Sequence, residues 1–187
     1  MSDTKRYESE HELSFEIPLV DFLKLLADGT LSKKEVIRIQ QKWLFKGKAD
    51  GCMYSTRIRS TQKCRGTVGT TPDKFEPWGP MVGLWDKYEY TTKYYLSQTE
   101  RLEFNAPISH DEYEKISSLH PNGKVVNKTR ILFRDKTVDQ NFGNILYSAD
   151  IVKGGDKVII ELEFSSKEAK ALYAPLSWAK PYFKEET

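Results

Sequence analysis

The chain has 187 residues, of which 39% are hydrophobic and 30% charged, with 29 basic against 27 acidic side chains and a net charge of +2. That length and balance fit one soluble globular domain over residues 1–187, excluding a disordered chain and, by charge, a general nucleic-acid binder. No apolar run nears the ~18 residues a membrane span needs, and the charged start MSDTKRYESEHE has no signal-peptide core, so the expected compartment is cytoplasmic.

In chain order, residues 8–17 alternate polar and apolar as a strand does. Leu19, Phe22, Leu23 and Leu26 then follow i, i+3, i+4, i+7 spacing, which predicts an amphipathic helix with Pro18 at its start and Gly29 at its stop. Strands are predicted at 36–45, 53–60, 87–96 and 100–105, with a long Gly-, Pro- and Thr-rich loop at 61–86. A capping box, Ser109 with Glu112, opens a helix to about 119 that buries Tyr113, Ile116 and Leu119. Strands follow at 125–133, 145–152 and 157–164, and a second capping box, Ser165 with Glu168, starts the last helix. Short connections between antiparallel strands predict an α+β, mainly β domain, a closed or nearly closed antiparallel β-barrel of about eight strands with a few flanking helices.

The strands carry charges in an unusual pattern. Residues two apart share a strand face, so Glu10 with Glu12, Arg57 with Arg59, Lys128 with Arg130, and Glu161 with Glu163 form like-charged doublets, and Arg101 shares a face with Glu103. Any single doublet reads as an ordinary solvated face. The series does not, because like charges repel on neighbouring positions. Acid doublets concentrate the oxygen donors that hard cations such as Mg²⁺ prefer, and basic doublets concentrate donors for phosphate oxygens. Turned into one barrel, these faces form a charged lumen that water, metal and an anion would complete.

In this order the motifs resemble the CYTH superfamily, the triphosphate tunnel metalloenzymes, which include inorganic triphosphatases, thiamine triphosphatases and class IV adenylyl cyclases. Glu10-His11-Glu12 stands for the opening Glu-x-Glu, Arg57-Ile58-Arg59 for Arg-x-Arg, Lys93 for the strand-ending lysine, and Arg101-Leu102-Glu103 for Arg-x-Glu. Lys128-Thr129-Arg130 stands for Lys-x-Arg, Asp150 for the lone aspartate, and Glu161-Leu162-Glu163 for the closing Glu-x-Glu, with Pro175 and Trp178 after the last helix. The departures are Ser14 where the family has lysine, Asn105 where it has a second glutamate, and the long 61–86 loop.

The resemblance implies a triphosphate-admitting barrel in which Arg57, Arg59, Lys93, Arg101, Lys128 and Arg130 bind phosphate. It implies Mg²⁺ or Mn²⁺ on Glu10, Glu12, Glu103, Asp150, Glu161 and Glu163, with Glu161, Glu163 and Asp150 as the catalytic set. No GxxxxGK[ST] segment is present, so side chains rather than a P-loop must hold the phosphates. The expected activity is metal-dependent hydrolysis of a small-molecule triphosphate. The alternatives are a class IV-type adenylyl cyclase and a non-catalytic nucleotide or polyphosphate binder, which Ser14 and Asn105 favour. A homodimer would be ordinary for the family. His11, His110 and His120 do not cluster by spacing and read as structural. Trp78 and Trp85 read as loop packing, Tyr88, Tyr90 and Tyr94 as outer packing against a helix, and Cys52 and Cys64 as free thiols.

Overall fold

A computed structural model describes residues 8–49, 51–64, 85–96, 100–135, 146–164, 166–171, 173–174 and 176–182; at residues 8–11, 49, 100, 134, 135 and 146 it describes the backbone alone. Trp78, Pro175 and Ser165, and the side chains of Glu10 and His11, therefore lie outside the described part. Eight strands and three short helices run in the order β1 (Glu8–Pro18), α1 (Leu19–Ala27), β2 (Leu31–Ala49), β3 (Cys52–Lys63), β4 (Lys87–Tyr95), β5 (Glu100–Pro107), α2 (His110–Leu119), β6 (Val125–Asp135), β7 (Leu146–Val152), β8 (Lys157–Phe164) and α3 (Lys167–Ala171), with a final 3₁₀ turn at Lys180–Tyr182. Among the described residues no helix is long and apolar enough to cross a membrane.

All strand pairs are antiparallel, and the pairing order β1-β5-β4-β3-β2-β6-β7-β8 returns to β1. β1 is the seam of this ring. Its first residues, Glu8–His11, pair with β5, while His11–Pro18 pair with β8. The two neighbours of β1 thus use different halves of it, and the curled sheet is joined to β5 along only a short stretch.

The apolar core lies outside the barrel. Val158, Ile160, Leu162 and Phe164 of β8, Ala149 and Ile151 of β7, Ile131 and Phe133 of β6, and Phe15 and Ile17 of β1 form one cluster with Phe22, Leu23 and Leu26 of α1. Burying each such aliphatic or aromatic side chain contributes about 1.5–3 kcal/mol, so this outer layer holds the sheet's curvature. Phe22 meets Phe133 edge-on at 5.8 Å, and Trp178 caps the same layer against Phe15 at 6.0 Å and Phe133 at 6.2 Å. The predicted first helix is therefore present with its apolar stripe inward, and Gly29 after it takes φ 78°, a conformation only glycine adopts without strain.

On the opposite side α2 lies along β3 and β4. The Ser109–Glu112 capping box is formed: Ser109 Oγ accepts from Glu112 N at 3.2 Å, and Glu112 accepts from Ser109 N at 2.7 Å. Ser109→Ala is expected to cost about 1 kcal/mol, lowering the melting temperature by roughly 2–4 °C in a calorimetric scan. Tyr113 is buried, with Tyr88 at 5.2 Å, but Ile116 is only half-buried and Leu119, the last residue of the helix, is 70% exposed, so the predicted apolar face is fully covered at Tyr113 alone. The last helix is capped by Ser166, whose Oγ accepts from Ala169 N at 3.1 Å. β2 is much longer than predicted and carries two irregularities, between Lys33 and Glu35 and between Trp43 and Phe45. The second turns successive aromatics apart. Trp43 lines the interior, while Phe45 stacks on Tyr54 at 5.0 Å on the outer face, where Tyr54 meets Tyr94 at 6.1 Å.

Candidate functional site

Because the outer phase of each strand is apolar, the opposite phase brings the charges inward. They line a cavity of about 460 Å³, and every sequence-predicted site residue except Glu10 is on its wall: Glu12, Arg57, Arg59, Lys93, Arg101, Glu103, Lys128, Arg130, Asp150, Glu161 and Glu163. Glu10 lies opposite Arg101 in the β1–β5 register. Gln41, Trp43, Tyr95 and Asn105 complete the polar and aromatic lining, with Val126, Val152 and Ile159 as its aliphatic part. Glu89, buried beside Arg59 with its carboxylate 2.9 Å away, is an interior acid that carries no doublet pattern in the sequence. Its only sequence signal is its phase with Lys93 on β4.

Acids and bases meet in pairs across strands. Arg101 contacts Glu12, Lys93 contacts Glu103, and Arg130 contacts Glu161. Asp150 is the most enclosed acid, 2% exposed. Arg130 holds it in a fork, Nε to Oδ1 at 2.7 Å and Nη2 to Oδ2 at 2.8 Å, and Lys128 Nζ donates to the same Oδ2. Asn105, which stands where the resemblance expects a glutamate, donates to Glu103 Oε1 at 2.7 Å and accepts from Thr91 Oγ1 at 2.8 Å. It keeps the local network satisfied without adding a charge.

Burial and these partners move the titrations in opposite directions. Burial pushes the Asp150 carboxyl up, but the Arg130 bond and the charges of Lys128 and Arg130 outweigh it and hold Asp150 down at about 2. Burial lowers Arg130, yet its bonds and charge contacts to Asp150 and Glu161 leave it raised. Lys128, sharing Asp150 with Arg130, stays lowered because burial and its neighbour Arg130 outweigh Asp150. Arg57 is lowered by burial first and by the adjacent Arg59 second.

The Asp150 shift has a sign that can be tested. A carboxyl that binds its proton less tightly when folded adds stability above its ordinary value of 3.8, and that contribution is lost as pH falls toward about 2. Denaturant unfolding should therefore show a stability gap between the protein and Asp150→Asn that is constant at neutral pH and narrows through that acid window.

The donor set suits a hard divalent cation by chemistry. Glu12 and Glu163 are direct partners in the β1–β8 register, and Glu161 stands two residues along. All three are carboxylates on the cavity wall. Among the described residues, no three His, Cys, Asp or Glu groups already converge as a ligand set, since Glu12 and Glu161 are turned to Arg101 and Arg130. Glu12, Glu161 and Glu163 are thus donors of the chemical kind that Mg²⁺ or Mn²⁺ takes, though not a preassembled ligand set.

No family model matches the chain, and no curated protein does. Among solved structures the chain is similar to the PH1012 protein of Pyrococcus horikoshii OT3, with a TM-score of 0.51 and 16% identity over 87% of this chain and 83% of that one. It is similar also to a conserved protein of Pyrococcus furiosus, with a TM-score of 0.50 and 20% identity over 87% and 84%. A looser superposition, TM-score 0.38 at 18% identity over 95% and 85%, relates it to NE1496, described as an inorganic triphosphatase. At these identities the likeness to the two archaeal proteins is one of fold.

Proposed function

We propose that this chain, whose motif order resembles the CYTH superfamily and whose structural neighbours are consistent with it, hydrolyses the terminal phosphate of a small-molecule triphosphate in a metal-dependent reaction. The observation that carries the reading is a single cavity lined by Arg57, Arg59, Lys93, Arg101, Lys128 and Arg130 on one side of the charge balance and by Glu12, Glu103, Asp150, Glu161 and Glu163 on the other. A chain of phosphates is the ligand that satisfies so many converging donors at once.

In this reading the bases bind and orient the phosphate oxygens, and Arg101 and Arg130 exchange Glu12 and Glu161 for substrate. Glu12, Glu161 and Glu163, with Glu10 beside them on β1, would hold Mg²⁺ or Mn²⁺, which when bound supplies charge neutralisation and an activated water. Asp150 serves differently from the other acids. Both of its oxygens are taken by Lys128 and Arg130, so we assign it to positioning those two bases against phosphate. Enclosure in the barrel strengthens each of these contacts by excluding bulk water.

The test is product identification with tripolyphosphate and with ATP, each with Mg²⁺ or Mn²⁺. Orthophosphate release abolished by EDTA is the expected result. A cyclic nucleotide with pyrophosphate would replace the hydrolase by a cyclase. Metal-dependent retention of ligand without any product would replace it by a binding module.

A further inference from the structure

Arg57 differs from the other cations of the cavity in its partners. Arg59, Lys93, Arg101, Lys128 and Arg130 each contact a carboxylate. Among the described residues Arg57 has none within ion-pairing distance. Its Nη1 donates to Gln41 Oε1 at 3.3 Å, its guanidinium lies 5.7 Å from the centroid of the Trp43 ring, and its Nε, like that of Arg59, is buried with no hydrogen-bond partner among the described residues.

Both contacts come from one strand. Gln41 and Trp43 are two apart on the inner face of β2, and Trp43 is the direct register partner of Arg57 on β3. The irregularity that follows Trp43 ends that inward phase, and the backbone there is pinned from outside. Trp43 N donates to Lys124 O at 2.9 Å, and Gly123 fits so closely that a Cβ on it would stand 2.6 Å from Trp43 O. The backbone that carries the ring is thus held in place.

A carboxylate partner would orient Arg57 and also neutralise it. An aromatic face and a neutral amide orient it while leaving its charge, and most of its N–H donors, for something else. We propose that Gln41 and Trp43 are positioning residues that hold Arg57 uncommitted as the first receptor for a phosphate oxyanion entering the cavity. The proposal rests on the phosphate-binding reading above and adds that the anion docks before metal, on a base prepared by neutral neighbours.

The experiment is calorimetric titration of the full chain with tripolyphosphate in EDTA, comparing Arg57→Gln, Trp43→Ala, Trp43→Phe and Gln41→Leu, each checked by thermal melt. Trp43→Ala and Gln41→Leu are expected to weaken binding about tenfold, and Trp43→Phe by no more than about threefold because it keeps an aromatic face. In metal-supported turnover the loss should fall on KM more than on kcat. If Arg57→Gln binds like the parent, the phosphate reading of Arg57 fails and the inference with it. If Arg57→Gln is weakened while Gln41→Leu and Trp43→Ala are not, the phosphate reading stands and the positioning role is overturned. Equal weakening in Trp43→Phe and Trp43→Ala would also overturn it. Should Trp43→Ala fail to fold, Gln41→Leu and Trp43→Phe decide: loss in the first with retention in the second supports the proposal, and any other pair of results overturns it.

Discussion

Glu161→Gln is expected to reduce metal-dependent orthophosphate release by at least about a hundredfold while the protein remains folded. The amide is isosteric and still accepts a hydrogen bond, so Arg130, which contacts Glu161, keeps a partner. Lost is the negative oxygen that, in the proposed mechanism, turns to the cation when substrate takes Arg130. Glu161 is half-buried on the cavity wall beside Ser148, not in the apolar layer, so circular dichroism and the melt should match the parent. Turnover that stayed unchanged at saturating Mg²⁺ would remove Glu161 from the metal set, and with it the role assigned to the closing acid doublet.

Asp150→Asn should act on stability instead. Asp150 compensates two buried cations at once, and removing one member of a buried ionic cluster leaves uncompensated charge at a cost of about 3–5 kcal/mol. For a chain of this size that corresponds to a melting temperature lower by roughly 6–20 °C. The double variant Asp150→Asn, Lys128→Met should recover part of the loss, because one stranded charge leaves with the acid. A single variant that melts within about 1 kcal/mol of the parent would show that water or relaxation satisfies Lys128 and Arg130, and that Asp150 is not their anchor.

The barrel was legible in the alternation because a strand's period of two ties each charge to its face, and the Ile-Leu-Phe phase of β8 fixes which face packs. The doublets Arg57/Arg59, Lys128/Arg130 and Glu161/Glu163 could be placed on that basis, as could the inward phase of Lys93 opposite the tyrosines. Which acid meets which base was not legible. Glu12 lies opposite Glu163 in register, yet its carboxylate contacts Arg101 on the other neighbouring strand, and that choice depends on the seam where β1 changes partners. Gln41 and Trp43 escaped for another reason. The segment VIRIQQKWLF has no charge doublet, and a regular strand would put Trp43 and Phe45 on one face. Only the register shift between them sends one inward and the other out. At α3 the cap the structure describes is Ser166, while Ser165 lies outside the described residues.

The placement of the apolar core gives the barrel a stiff wall and a compliant one. Among the described residues the main cluster draws on β1, β2, β6, β7 and β8, on α1 and on the C-terminal turn, but on no residue of β3, β4 or β5. Arg57, Arg59, Lys93, Arg101 and Glu103 stand on that lightly backed half, and Lys128, Arg130, Asp150, Glu161 and Glu163 on the heavily backed one. Segments with fewer buried apolar contacts yield first when a fold is loaded. The molecule is therefore built like a vice: an anvil of tightly seated charges on one side, and on the other a more compliant jaw on which Gln41 and Trp43 keep Arg57 in place.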